Sequence, residues 1–159
     1  MKHKIHKIEN HHREWIKEFT KEHWGSKKIV SIGRIFLPHE LEGFIAVKND
    51  EKIGLVTYDV KDDICEIVSI NSLAEKQGVG TALVEEIIKT AKDSGCKKIK
   101  LTTTNDNLNA LHFWQKRGFK LVKVHQDSIK AARKLKPEIP EIGEHGIPIR
   151  DEIELEKII

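Results

Sequence analysis

Between Ile64 and Thr103 the hydrophobic period changes twice, and no other stretch constrains the fold as tightly. A β-branched run, ICEIVSI, leads into Gln77-Gly78-Val79-Gly80-Thr81-Ala82. Ala82, Leu83, Ile87, Ile88 and Ala91 then line one helical face as far as Ser94-Gly95, and Lys98 to Thr103 returns to strand texture. A strand, an amphipathic helix and a second strand of the same direction make a right-handed crossover, which predicts a parallel strand pair.

The flanks read differently. Lys4 to Ile8 alternates as a first strand, and Asn10 to Trp24 sets Trp15 and Phe19 at helical spacing before Gly25. From Ile29 to Leu73, IVSIGRIF, then FIAVKNDEKIGLVTYDV with a hairpin tip at Asn49-Asp50-Glu51, then ICEIVSI after Asp62-Asp63, predict an antiparallel meander. Leu108 to Arg117 reads as a second helix stopped by Gly118, and Phe119 to Val124 as a strand. The tail, 125–159, holds a short helix over Ser128 to Leu135, a Pro/Gly-rich loop and a last alternating strand in IRDEIELEKI. No repeat or long linker divides the chain, so residues 1–159 are expected to form one domain: mixed α/β of the α+β kind, its twisted sheet mostly antiparallel with helices on both faces.

Composition narrows the function classes. The 28 basic and 25 acidic side chains leave a net charge of only +3, and the aromatic residues are not spread over a basic face, which argues against nucleic acid as partner. Apolar runs are far shorter than the ~20 residues a bilayer requires, which argues against a membrane. Cys65 and Cys96 lie in separate apolar segments with no CxxC spacing and no signal peptide upstream, so a reducing, cytoplasmic setting is expected. His11-His12 lacks acidic or thiol companions at ligand spacing, and no metal is assigned.

The chemistry concentrates in two places. Glycines at 78 and 80 let a ligand approach the backbone, and the free N–H groups of the following helix turn, aided by its dipole, suit a pyrophosphate. This is not a P-loop, because no Gly-Lys-Ser/Thr follows, nor the dinucleotide fingerprint, because Leu83 occupies the third glycine position. One strand downstream runs Asn105-Asp106-Asn107-Leu108-Asn109-Ala110-Leu111-His112-Phe113-Trp114-Gln115-Lys116-Arg117-Gly118-Phe119.

Together these resemble the GNAT superfamily of N-acetyltransferases, whose motif A has the form Q/R-x-x-G-x-G/A and whose motif B often reads N-x-x-A-x-x-F-Y-x-x-x-G-F. Gly78 and Gly80 match the first; Asn107, Ala110, Phe113, Gly118 and Phe119 match the second. The resemblance covers Glu42 to Val124, and the tail sequence GIPIRDEIELE is similar to that of many bacterial members of unassigned substrate. It implies a sheet splayed between its two central parallel strands, acetyl-CoA as cosubstrate, Ser69 and Ile70 pairing with the pantetheine amides, Lys76, Gln77, Gly78, Val79, Gly80 and Thr81 cradling the pyrophosphate, and Asn107 and Trp114 lining the thiol end. Two positions depart from the pattern: Glu75 stands at the Q/R position, and Trp114 replaces a tyrosine that in many members protonates the leaving thiolate. Indole has no proton to give at neutral pH.

Acyl transfer to an amine needs a proton acceptor, a donor for the developing oxyanion and a proton for sulfur. Glu66 is the candidate base; it also resembles a family glutamate four residues before the amide that polarises the acetyl carbonyl, which puts that amide at Ile70. Strict alternation would set Glu66, Val68 and Ile70 on one face, either solvent-facing or covered. His112 and His125 are weaker candidates, and the acids from Asp151 to Glu156 could draw in a cationic amine. The acceptor is expected to be a small-molecule or protein amine, and the extended tail is compatible with a homodimer. A non-catalytic acyl-CoA sensor is the alternative function.

Overall fold

The computed structural model describes residues 3–73 and 78–159. Nine strands and four α-helices follow the order β1 (Lys4–Lys7), α1 (Arg13–Trp24), β2 (Ile29–Ser31), β3 (Arg34–Phe36), β4 (Glu42–Lys48), β5 (Glu51–Lys61), β6 (Ile64–Ser72), α2 (Val79–Asp93), β7 (Lys98–Thr104), α3 (Leu108–Lys116), β8 (Lys120–His125), α4 (Ile129–Leu135) and β9 (Glu152–Ile158). The main sheet runs β1-β4-β5-β6-β7-β9-β8 and is antiparallel except where β6 meets β7. The parallel pair that the crossover demands is therefore at its centre. Asn49 and Asp50, both with positive φ, make the tight β4–β5 turn that the sequence signals.

One hairpin departs from the meander as read from the sequence. β2 and β3 leave the main sheet and pair only with each other, through an Ile32-Gly33 turn in which both residues have positive φ. The last alternating strand read from the tail is β9, and its place, which the sequence left open, is between β7 and β8, interior to the sheet. Its alternation explains the placement. Ile153 and Leu155 enter the core, while Glu152, Glu154 and Glu156 lie on the other face.

The sheet is covered on both sides. Val79, Leu83, Val84, Ile87 and Ala91 of α2 recur at helical spacing and pack on Phe44, Ala46, Val56, Ile67, Ile99 and Leu101. Ile16 and Phe19 of α1 cover Ile8, Ile45 and Leu55 on the opposite face. Trp114 of α3 is buried in the α2 side of the core, its ring edge-on to Phe113 and Phe119 with centroids 5.0 and 4.9 Å away.

The decisive local feature is in β6. Thr57 of β5 pairs with Ser69, but its neighbour Tyr58 pairs with Ile67, leaving Val68 as an extra residue in a β-bulge. Parallel pairing with β7 ends at Ile67 and Leu101, one residue before the bulge, although β6 continues to Ser72 and β7 to Thr104. A bulge bends its strand, so the bend parts the two strands. The expected splay has this cause.

Trp114→Ala is expected to lower unfolding stability by about 3–5 kcal/mol, the range for deleting a large buried aromatic, as read from the urea midpoint and slope.

Candidate active site

The parted ends of β6 and β7 open a cavity of about 120 Å³, bordered by Glu66, Ile67, Val68, Thr102 to Thr104, Asn107 and Glu152, with β2 and Trp24 closing one side. Behind one end of β6, a cleft of about 510 Å³ is lined by Ser72, Gly78 to Thr81 and the outer face of α3. The two spaces flank the same strand.

In the cleft, Gly78 caps α2 at φ 72°, a conformation that costs most residues but not glycine. Among the described residues, the helix's first hydrogen bond runs from Ala82 N–H to the Gly78 carbonyl, and a helix start of this kind turns its first amides outward, where a ligand anion can meet them. Gly80 is required for a second reason: a Cβ there would sit 3.2 Å from the Phe113 ring. That ring carries the Arg117 guanidinium 3.6 Å above its centroid, and Arg117 also donates to the Thr81 hydroxyl and, at 2.8 Å, to the Phe113 carbonyl. Arg117 and Lys116 add cationic side chains to the amide cradle, with His112 beside them. Sequence reading treated Arg117 only as a helix end; its four-residue spacing from Phe113 was the signal that the two share a face.

At the splay, Glu66 is only 6% exposed. Arg34 Nη1 donates to its Oε1 at 3.1 Å, Lys100 Nζ lies 3.8 Å away, and Ser31 Oγ donates to Oε2 at 3.5 Å. Burial pushes the Glu66 carboxyl above the usual glutamate range, while Lys100 and Arg34 pull against that rise. The solvent-facing alternative for Glu66 is thus overturned, and so is its shared face with Ile70. The bulge at Val68 resets the alternation: Ser69 falls on Glu66's side, buried with its hydroxyl 2.6 Å from that of Thr57, while Ile70 packs toward the α2 core.

Glu152, 3% exposed, borders the splay cavity from β9, and its Oε2 accepts a 2.9 Å hydrogen bond from Ile32 N–H. This bond anchors the β2–β3 turn, in which Ile32 holds a φ of 47° unusual for a β-branched residue. Glu154 lies 3.5 Å from His125, and Glu156 accepts from Lys98 at 3.0 Å, so the acids of β9 are spent on different partners.

The remaining expected residues separate. Asn107 borders the splay cavity and caps α3 by accepting from Ala110 N–H at 3.1 Å. Val79 offers its backbone to the cleft but buries its side chain. Trp114, at 3% exposure, packs in the core against the Phe113 and Phe119 rings. Lys76 and Gln77, like Glu75, lie outside the described residues. Tyr58 is buried beside Phe44, in neither space. Among the described residues, no three His, Cys, Asp or Glu side chains gather as a metal site requires, and no helix is long and apolar enough to cross a membrane.

Comparison with known proteins agrees with this layout. The sequence model of the acetyltransferase (GNAT) family matches residues 8–119. The uncharacterized protein YdhI of Bacillus subtilis (strain 168) is 46% identical over 143 residues, 89% of each chain. Among solved structures, an IAA acetyltransferase from Bacillus cereus superposes with a TM-score of 0.76 at 21% identity over 99% of both chains. A GNAT family acetyltransferase from Elizabethkingia anophelis with acetyl-CoA bound superposes with a TM-score of 0.71 at 23% identity, over 99% of this chain and 98% of that one.

The raised Glu66 pKa has a consequence for stability. Between the unfolded and folded values the native state keeps a proton that the unfolded chain has released, so the Glu66 contribution to stability falls as pH rises through that window. Glu66→Gln removes this dependence. Its stability relative to wild type is expected to improve as pH rises from below the ordinary glutamate range through the raised value, in urea titrations at stepped pH.

Proposed function

The chain belongs to the GNAT acetyltransferase family, and from that premise we propose that it moves an acetyl group from acetyl-CoA to the primary amine of an acceptor by direct attack. The observation that carries the reading is the parting of β6 from β7 after Ile67 and Leu101, with an anion cradle at one side and buried carboxylates at the other. The pyrophosphate rests on the Gly78 to Thr81 turn beside Arg117. The pantetheine arm pairs with the backbone of Ser69 and Ile70, beyond the last residue of β6 that β7 satisfies.

In the reaction, the amine nitrogen attacks the thioester carbonyl. Its proton passes to the Glu66 carboxylate directly or through one water, and the Ile70 N–H meets the charge that develops on oxygen. The C–N bond forms, the C–S bond breaks, and its electron pair leaves on sulfur, which takes a proton from water. Glu66 needs opposing influences for this role: burial strengthens it as a base, and Lys100 and Arg34 favour its ionised form. A covalent route through the adjacent thiol is disfavoured, because Cys65 faces the α2 core and burial pushes its pKa up to about 12. Trp114 acts through packing and carries no proton.

Two variants test separate parts. Gly80→Asp places bulk against Phe113 and a negative charge in the cradle, and is expected to weaken CoA binding at least tenfold by calorimetry; wild-type affinity would move the cradle elsewhere. Glu66→Gln is expected to lower kcat roughly 10²-fold, the scale of general-base catalysis, and to remove the acidic limb of the pH–rate profile. CoA binding without release of CoA from acetyl-CoA across a panel of amines would favour the sensor instead.

A further inference from the structure

A second, larger cavity of about 420 Å³ adjoins the splay, with Trp24, Ile29, Val30, Thr104 and Glu152 bordering both. Its size falls within the range of small-ligand sites. Resting on the acyltransferase reading, we propose that this cavity admits an acceptor carrying both an amine and a carboxylate on an apolar body, an apolar amino acid or a close analogue, with Lys136 as the residue that selects the carboxylate.

The case begins with Lys136. It ends α4, borders the cavity, and is 6% exposed, yet among the described residues its ammonium has no hydrogen bond and no ion pair. Its side chain is buried while its nitrogen keeps access to the cavity, and an ammonium so enclosed is favoured by an anionic partner. Burial pushes the Lys136 pKa down; Glu138, which also borders the cavity, opposes that effect without forming an ion pair, and Lys28 adds to it, so among the described residues the ammonium has no contacting counter-charge. A ligand carboxylate would supply one.

Glu138, Asp106 and Glu152 all border the cavity; Glu138 is the one whose charge bears on Lys136, and the other two are unequal. Asp106 is satisfied: it accepts from the Thr104 hydroxyl and, at 2.9 Å, from Glu144 N–H, and so ties the tail loop to β7. Glu152 spends one oxygen on Ile32 N–H, and its other oxygen has no hydrogen bond among the described residues. Because Glu152 borders both spaces, an ammonium drawn to it is held at the entrance to the splay, next to where the thioester carbonyl would lie. Between the charged groups the walls are apolar, from Ile29, Ile129, Ala132, Ile139 and Ile149. A polyamine would bring a second cation toward Lys136. A peptide amine would lack the anion unless it were very short.

The experiment compares L-leucine, L-phenylalanine and L-tryptophan with their amides, and with phenethylamine and spermidine, by release of CoA from acetyl-CoA. The free acids are expected to be acetylated with kcat/KM at least tenfold above their amides, chiefly through KM. Lys136→Met is expected to collapse that ratio toward one while CoA affinity by calorimetry stays at the wild-type value, and Lys136→Arg to retain part of it. Acetylation of amides or spermidine in preference to the acids overturns the proposal and leaves the acyltransferase reading standing. So does an acid-to-amide ratio unmoved in a folded Lys136→Met variant. The wild-type comparison decides alone if that variant does not fold. Failure to bind CoA, or to acetylate any amine, overturns the acyltransferase reading and the proposal with it.

Discussion

One extra residue in β6 governs the geometry of everything proposed for the site. Without a bulge at Val68, β6 would continue in register with β7 past Ile67 and Leu101, and both strands would satisfy each other's backbone to their ends. The bulge ends that pairing and rotates later side chains so that Ile70 packs inward while Ser69 joins Glu66. It also fixes β6 to β5 on either side of the irregularity, so the parted strand remains anchored by its antiparallel neighbour. A splayed parallel pair is stable only under that condition, since an unsupported strand end would leave its polar groups without partners.

The face opened by the splay collects carboxylates, and each is stabilised by a different means. Glu66 has Arg34, Lys100 and Ser31 around it; Asp106 accepts from a hydroxyl and a loop amide; Glu152 holds the strained β2–β3 turn through Ile32. Three buried acids in one region would repel each other if left ionised and unpaired. Distributing their partners among β2–β3, β7 and the tail makes these otherwise separate segments depend on one another. The charges of the site are thereby part of what holds the β2–β3 hairpin, which has no strand partner in the main sheet.

The central crossover was legible because its signals are local: a β-branched run, glycines at 78 and 80, an apolar stripe and a return to strand period. The GNAT motifs rest on the same stretch. What escaped sequence reading depends on contacts between distant residues. The bulge is defined by the register of Thr57 and Tyr58 against β6, which no pattern inside ICEIVSI encodes. The insertion of β9 between β7 and β8 depends on pairing with segments far upstream. Trp114 was assigned from a motif position to the cofactor, and its ring contacts with Phe113 and Phe119 in the core are visible only in the fold. Arg117 went unnoticed because its role arises only when α3 brings it over Phe113 and against Thr81 of α2.

The arrangement also indicates where acceptor choice can change without loss of the fold. Residues of the α2 turn and β6 border the cleft and also build the central sheet, so substitutions there alter both. The second cavity instead draws its walls from the end of α1, from β2, from α4 and from the loop before β9. Within β9 itself the division is residue by residue: Ile153 and Leu155 belong to the core, while Glu152 belongs to the cavity. Because successive strand side chains point to opposite faces, the charge facing the cavity can be altered at position 152 without altering the packing at 153 and 155. The limit on such change is Ile32, whose N–H relies on Glu152 and whose turn would have to adopt another conformation once that acceptor is gone.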